Sequence, residues 1–204
     1  MSQIDFRELA RAIKGELHTE RHVLDVYATD ASIYWVRPRA VVVPRDVADL
    51  VATVQFARAN DVPITVRGAG SSTAGQAIGE GILVDTTKYL NHIGEVDVAA
   101  ATVTAEPGVV VDALNARLAT LGKRVGFAPS SSAYSTVGGA LGNNASGARS
   151  VKFGDTRRST QSLELVLSDG TQAQTRRWET ASDAWGRHAK EPSLWGRIHR
   201  DLAA

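Results

Sequence analysis

Two stretches of this 204-residue chain have residue types and spacing suited to holding a charged ligand through the backbone. The first runs Pro63-Ile-Thr-Val-Arg67-Gly68-Ala69-Gly70-Ser71-Ser72-Thr73-Ala74-Gly75, a β-branched run leading into a loop of small side chains. With no bulk in the way, successive amide N–H groups can converge into a concavity that suits phosphate oxygens, and Ser71, Ser72 and Thr73 add hydroxyl donors. No Gly-Lys-Ser/Thr follows, so this is not a Walker A loop, and Thr73 stands where a dinucleotide fingerprint needs its third Gly. A Gly-rich turn that binds nothing is the plain alternative.

The second stretch runs from Pro129 through Ser135, Thr136, Val137, Gly138 and Gly139 to Asn143, Asn144, Ser146 and Gly147. Thr136 is a predicted helix N-cap. Gly138, Gly139 and Gly142 would keep one face of the next turn bare, so that a flat or charged ligand could reach the helix N-terminus. Asn143, Asn144 and Ser146 supply short polar groups just beyond. Close helix packing through small residues is the alternative here. Of the 18 Gly, five fall between Gly68 and Gly81 and seven between Gly122 and Gly154, which concentrates backbone-lined loops in these two places.

The elements that must position these loops follow from periodicity. Ala40–Val43, closed by Pro44, is a predicted strand. Asp46 caps a predicted helix whose Val47, Leu50, Val51, Val54 and Ala57 share one face, ending near Asn60-Asp61. Pro63–Val66 begins a second strand, completing a βαβ-like unit. Gly81–Asp85 and Ala101–Ala105 are further strands. Pro107-Gly108 turns into a helix through Val110, Val111, Leu114, Leu118 and Leu121, stopped by Gly122. Leu163–Leu167, the turn Ser168-Asp169-Gly170 and a return strand from Thr171 to Arg176 form a hairpin. Residues 4–15 suggest a short helix stopped by Gly15, and Tyr27–Arg39 an irregular aromatic loop. The pattern is α+β with mixed sheets.

Composition narrows the function classes. Apolar residues are 43% and charged residues 22%, as in an ordinary globular protein. A net charge of +1 gives no field to collect polyanions, so nucleic acid is not an expected partner. Cys is absent, which excludes disulfides, thiolate metal sites and a Cys nucleophile within the chain. No apolar run is long enough to span a membrane, and the first 30 residues hold no signal-peptide core. The expected location is cytoplasmic, or membrane-peripheral for a longer protein.

Taken together, the two stretches resemble the FAD-binding domain of the vanillyl-alcohol oxidase/p-cresol methylhydroxylase (PCMH-type) family. Thr136-Val-Gly-Gly, Asn144-Ala-Ser-Gly147, Lys152-Phe-Gly154-Asp, Arg157 and Leu163-Glu-Leu-Val-Leu-Ser-Asp-Gly170 are similar to the branch containing D-lactate, glycolate and D-2-hydroxyglutarate dehydrogenases. The resemblance implies a PCMH-type fold of two α/β subdomains with mixed and antiparallel sheets. It implies a helical lead-in over 1–26, an FAD-binding domain over 27–177 split near residue 100, and a truncated helical tail over 178–204. It assigns Arg67, Gly68, Ala69, Gly70, Ser71, Ser72 and Gly75 to the pyrophosphate loop. It assigns Pro129, Ser135, Thr136, Val137, Gly138, Gly139, Asn143, Asn144, Ser146 and Gly147 to the ribityl, pyrophosphate and ring edge of the flavin. Relatives that tether FAD covalently carry a His after the second loop Gly. Ser71 stands there, which implies non-covalent FAD.

The implied reaction is hydride transfer from a 2-hydroxy acid such as D-lactate, glycolate or D-2-hydroxyglutarate to flavin N5. The segment closing the family's FAD domain and the cap domain with its catalytic histidines do not appear before Ala204. The chain is therefore expected to be the N-terminal piece of a longer flavoenzyme, with no catalytic residue of its own and its small-molecule substrate held by the cap domain. The alternatives are a same-fold NADPH-dependent enolpyruvyl-UDP-sugar reductase and a non-enzymatic nucleotide-binding module. His18 and His22 have helical metal-pair spacing but no third ligand, so no metal is expected. Arg149, Lys152, Arg157 and Arg158 make a basic cluster beside the second stretch, read as a solvated face. Trp178, Trp185 and Trp195 are expected to pack against the missing domain.

Overall fold

The computed structural model describes residues 4–176 together with 190, 193, 194 and 198. Trp178, Trp185 and Trp195 lie outside the described residues. The first part of the chain runs α1 (Arg7–Ala12), β1 (Glu16–His18), α2 (Arg21–Tyr27), β2 (Ala40–Val43), α3 (Val47–Ala59), β3 (Ile64–Arg67) and β4 (Ile82–Asp85). The four strands form one sheet in the order β1-β2-β4-β3, with β1 antiparallel and the other three parallel. Thus β4 lies between the two strands of the βαβ unit.

The central strands β2 and β4 are buried along their whole length, and strand alternation sorts their side chains onto two faces. Ala40, Val42, Ile82 and Val84 face α1 and α3, with Leu9, Ile13, Phe56 and Ala57. Val41, Val43 and Leu83 face the other way, toward Leu24, Tyr27 and Tyr89. Each fully buried Val, Leu or Ile among them stabilises the fold by about 1.5–3 kcal/mol. The described residues of the expected lead-in pack into this unit, because Leu9 and Ile13 join its core and β1 pairs with β2.

Helix α3 starts where its cap predicts: Asp46 Oδ1 accepts the Asp49 amide at 3.1 Å. Its inward face differs from the expected one. Asp49, Thr53, Phe56 and Ala57 are buried, whereas Val47 is 41% exposed. The cause is tertiary. The Asp49 carboxylate accepts the amides of Lys14, Gly15 and Arg45, each at 2.8 Å, and these bonds fix a polar residue inward. Gly15 does more than stop a helix, since a Cβ there would overlap the Val43 carbonyl of β2.

The second part comprises β5 (Ile93–Asp97), β6 (Thr102–Ala105), α4 (Val111–Ala119), α5 (Val137–Gly142), α6 (Ser150–Phe153), α7 (Thr156–Ser159), β7 (Ser162–Val166) and β8 (Gln172–Arg176). Antiparallel β5–β6 packs Ile93, Val96 and Val103 against Val109, Leu114 and Leu118 of the α4 region. Residue 100, the expected division between subdomains, lies in the turn of this hairpin, where Ala101 has φ +53°. Val111, Phe127 and Ala140 join α4 to α5. The hairpin β7–β8 forms with its turn at Gly170, and Leu121, expected on the inner face of α4, is exposed. Among the described residues no helix is long and apolar enough to cross a membrane.

Candidate functional site

Strand β3 ends at Arg67, and the chain leaves the carboxyl edge of the parallel strands as the first Gly-rich loop, where open α/β sheets bind ligands. Among the described residues, the backbone amides of Gly68, Ala69, Gly70, Ser71, Ser72 and Thr73 donate no hydrogen bond to the protein. Six consecutive free donors in a non-helical segment are available to an anion. Gly70 takes φ +66°, open to Gly without strain. The Ser72 hydroxyl is turned into its own loop, in contact with Gln76 Oε1 and accepting the Ala74 and Gln76 amides at 3.3 Å.

The second stretch is folded onto the segment leading into α4. Val111 N donates to Ser135 O at 3.0 Å, Asp112 N to Ser132 O at 3.1 Å, and Val137 N to Val109 O at 2.8 Å. Thr136, 1% exposed, caps α5 as expected, its Oγ1 accepting the Gly139 amide at 3.2 Å. The α5 N-terminus is not open to a ligand, however. The Val137 and Gly138 amides are taken by Val109 and Pro107 carbonyls, and Gly139 by the cap itself. Gly138 faces Pro107, whose backbone and ring a Cβ would crowd, so its smallness serves packing.

The two stretches meet at one point. A Cβ on Gly68 would overlap the Thr136 hydroxyl, so the first loop rests against the cap of the second. Between them lies an open cleft of about 230 Å3 lined by Val66, Gly68, Ala69, Gly70, Ser71, Ser72, Thr73, Gln76, Ala77, Pro129, Ser131, Ser135, Thr136, Gly139, Ala140, Asn143 and Ala145. No lining residue is ionisable, so any anion there is held by dipoles and hydroxyls. A larger hollow, about 510 Å3, lies among Asp5, Arg7, Glu8, Arg11 and Ala12. It is a shallow surface feature whose exposed Asp5 and Arg7 pair with each other at 2.7 Å.

Ten of the expected site residues line the cleft, and seven do not: Arg67, Gly75, Val137, Gly138, Asn144, Ser146 and Gly147. Gly75 (φ +80°) packs under the Tyr34 ring. Asn144, at φ +45°, staples the loop to α7, its Nδ2 donating to Asp155 Oδ2 at 2.8 Å and its Oδ1 accepting Arg157 N at 3.0 Å. Asn144 and the Arg158 amide hold the Asp155 carboxyl below its usual range. Gly147 lies against the Ala128 carbonyl, where a Cβ would clash, and Ser146 is exposed. Of the other lining residues, Gln76 and Ala77 lie just beyond the first marked stretch, whereas Val66, Thr73, Ser131, Ala140 and Ala145 sit inside the marked stretches. In the basic cluster, Arg149 and Lys152 both lie over the Phe153 ring, at 4.8 and 5.2 Å. Arg149 Nη1 is buried without a hydrogen-bond partner.

A family profile described as FAD binding domain matches residues 38–176. The chain belongs to the FAD-binding domain family. Its cofactor is accordingly FAD. Relatives of this FAD-binding domain include D-2-hydroxyglutarate dehydrogenase of Pseudomonas putida, 38% identical over 173 residues, which cover 81% of this chain and 17% of that protein. Glycolate oxidase subunit GlcD of Bacillus subtilis is 35% identical over 147 residues, 71% of this chain and 31% of that protein. The domain thus spans less than a third of either relative. Crystalline 6-hydroxy-D-nicotine oxidase from Arthrobacter nicotinovorans shares the fold, with a TM-score of 0.71 at 23% identity over 80% of this chain and 36% of that one. The fold is of the PCMH type.

The residues present fit a dinucleotide. Six consecutive amides are free of protein partners, and Gly68 and Gly70 stand where a side chain would clash with Thr136 and Arg67. The cleft is smaller than the roughly 300–1,000 Å3 of a whole small-molecule site, matching one section of an extended cofactor.

Proposed function

We propose that Gly68–Thr73 hold the FAD diphosphate through their backbone amides, while Pro129, Ser131, Ser135, Thr136, Gly139 and Asn143 line the adjoining part of the cofactor. The observation that carries this reading is the run of six unpaired amides in a cleft without ionisable side chains. Dipoles fixed by the fold stabilise a diphosphate without the desolvation cost of burying cationic side chains beside it. Ser71 occupies the place of a tethering His, so the cofactor is bound non-covalently.

The chain is the flavin-binding part of an oxidoreductase acting on a 2-hydroxy acid such as D-2-hydroxyglutarate, glycolate or D-lactate. The names of the relatives support this substrate class. Flavin bound here supplies the redox chemistry, accepting two electrons from the carbinol carbon. The contribution of this chain is to bind the diphosphate, orient the dinucleotide and shield one side of it from water. No described residue of this chain is assigned to substrate binding, proton abstraction or electron transfer out of the flavin.

The test uses a full-length protein carrying this domain. Under anaerobic conditions, D-2-hydroxyglutarate, glycolate or D-lactate added in turn bleaches the flavin band near 450 nm (the oxidised cofactor's absorption). No bleaching by any of the three, with NADPH bleaching the band instead, overturns the dehydrogenase reading.

A further inference from the structure

We infer that Arg67 is a positioning residue that locks the diphosphate loop from behind, and that residues 27–31, which no motif marks, form the strap to which it is locked. The inference rests on the cofactor reading above and assigns a role to groups that do not line the cleft. Arg67 Nη1 donates to Thr29 O at 2.7 Å and lies within reach of Ala77 O at 3.3 Å and Tyr27 O at 3.4 Å. One guanidinium therefore ties the start of the loop to its end and to the strap. The loop folds over it: a Cβ on Gly70 would sit 2.6 Å from Arg67 Cζ, so the Gly there is required by the arginine. On its other side the guanidinium lies 5.3 Å from the centre of the Tyr27 ring.

The strap makes further contacts with the same loop. Ala31 N donates to Gly70 O at 3.0 Å and Ala77 N to Asp30 Oδ2 at 3.4 Å; just beyond the strap, Tyr34 lies against Gly75. The strap is anchored in turn. Tyr27 Oη donates to Asp85 Oδ2 at 2.7 Å, and Asp85, paired with Arg67 in the sheet register, also accepts the Thr87 amide and hydroxyl. Six free amides in a Gly-rich segment have no reason to hold one conformation unaided, because Gly has the largest backbone entropy to lose. The lock removes that entropy before the ligand arrives, and apparent affinity scales with the fraction of molecules holding the competent loop.

A lock and a phosphate ligand give different results on substitution. The assay is FAD titration of the 204-residue chain at low and high salt, paired with amide hydrogen exchange of residues 68–77 without FAD, for wild type, Arg67→Met, Arg67→Lys and Asp30→Ala. The lock predicts faster exchange across 68–77 in both Arg67 variants. It predicts about tenfold weaker FAD binding in both, as expected when about one molecule in ten holds the competent loop. The salt dependence of the dissociation constant stays as in wild type. Lys fails to rescue, since its ammonium ends one bond short of the Nη1 position from which Arg67 reaches these carbonyls and it lacks the planar guanidinium that lies over Tyr27. Asp30→Ala, which leaves Arg67 in place, shows a smaller change in the same direction and serves if the Arg67 variants do not fold. Wild-type affinity in Arg67→Lys, a flatter salt dependence in Arg67→Met, or unchanged exchange would each overturn the lock. Failure of wild type to bind FAD would sink the cofactor reading instead, while the exchange measurement would still decide the lock.

Discussion

The contact between Gly68 and Thr136 joins the two halves of the cleft, and Gly68→Ala probes it directly. The added methyl would overlap Thr136 Oγ1 and meet Thr136 Cβ and Cγ2 at 3.2 Å, with Thr136 itself only 1% exposed and unable to swing away. Overpacking of this kind costs about 1–3 kcal/mol, and the backbone identity of the loop puts it near 2. Thr136→Ala alone removes the α5 cap, worth about 1 kcal/mol. It also removes a buried methyl worth about 1 more. Were the two sites independent, the double variant would lose about 4 kcal/mol. In the contact geometry the new methyl enters space the Thr hydroxyl and methyl have left, and the double variant loses only about 2, a coupling of about 2 kcal/mol. Urea denaturation of the four proteins measures the cycle. Additivity to within about 0.5 kcal/mol would refute the close approach of the two loops.

Other perturbations test separate links. Asp49→Asn keeps the shape of α3 but weakens three charge-assisted bonds to Lys14, Gly15 and Arg45, with an expected loss of about 3 kcal/mol in the same denaturation assay. Thr156→Val removes the hydroxyl that donates to Ala145 O at 2.6 Å, at a cost of about 1–2 kcal/mol, and weakens FAD binding because Ala145 lines the cleft. Glu16 accepts from Lys88 Nζ and Tyr89 Oη, both at 2.5 Å, and these partners hold its carboxyl down at about 2 from an ordinary 4.5. Its contribution to stability is present above about pH 4.5 and disappears as pH falls toward 2. Lys88→Met therefore flattens the loss of stability over that window, seen as a smaller drop in Tm between pH 5 and about 3. Acid precipitation of the FAD-loaded chain leaves all flavin in the supernatant, whereas yellow pelleted protein would show a covalent tether that Ser71 gives no means to form.

Elements carried by local pattern were legible in the sequence. β2 announces itself as four apolar residues before Pro44, α3 by its Asp46 cap, and the β7–β8 hairpin by Ser168-Asp169-Gly170. Elements decided by distant contacts were not. β1 is three residues long, too short for a period, and exists because Glu16, Leu17 and His18 find Val43, Val42 and Val41. The inward face of α3 turns on Asp49, whose partners lie in other segments. The site divides the same way. Gly68, Gly70 and the Thr136 cap follow from residue type and spacing. Gly138 and Gly147 gave the same small-residue signal but serve close packing against Pro107 and Ala128. The strap over 27–31 leaves the end of α2 and is fixed by Arg67 and Asp85, and nothing local in Tyr27–Ala31 encodes that contact.

The central claim is that the two loops of this chain hold FAD by backbone dipoles. Its most direct measurement is the visible spectrum of the purified 204-residue chain after incubation with FAD and gel filtration. The account predicts protein that elutes yellow, with oxidised-flavin absorption near 370 and 450 nm, and loses that colour in Gly68→Ala. Protein that elutes colourless while a full-length relative treated alike stays yellow, or a Gly68→Ala variant as yellow as wild type, would contradict it.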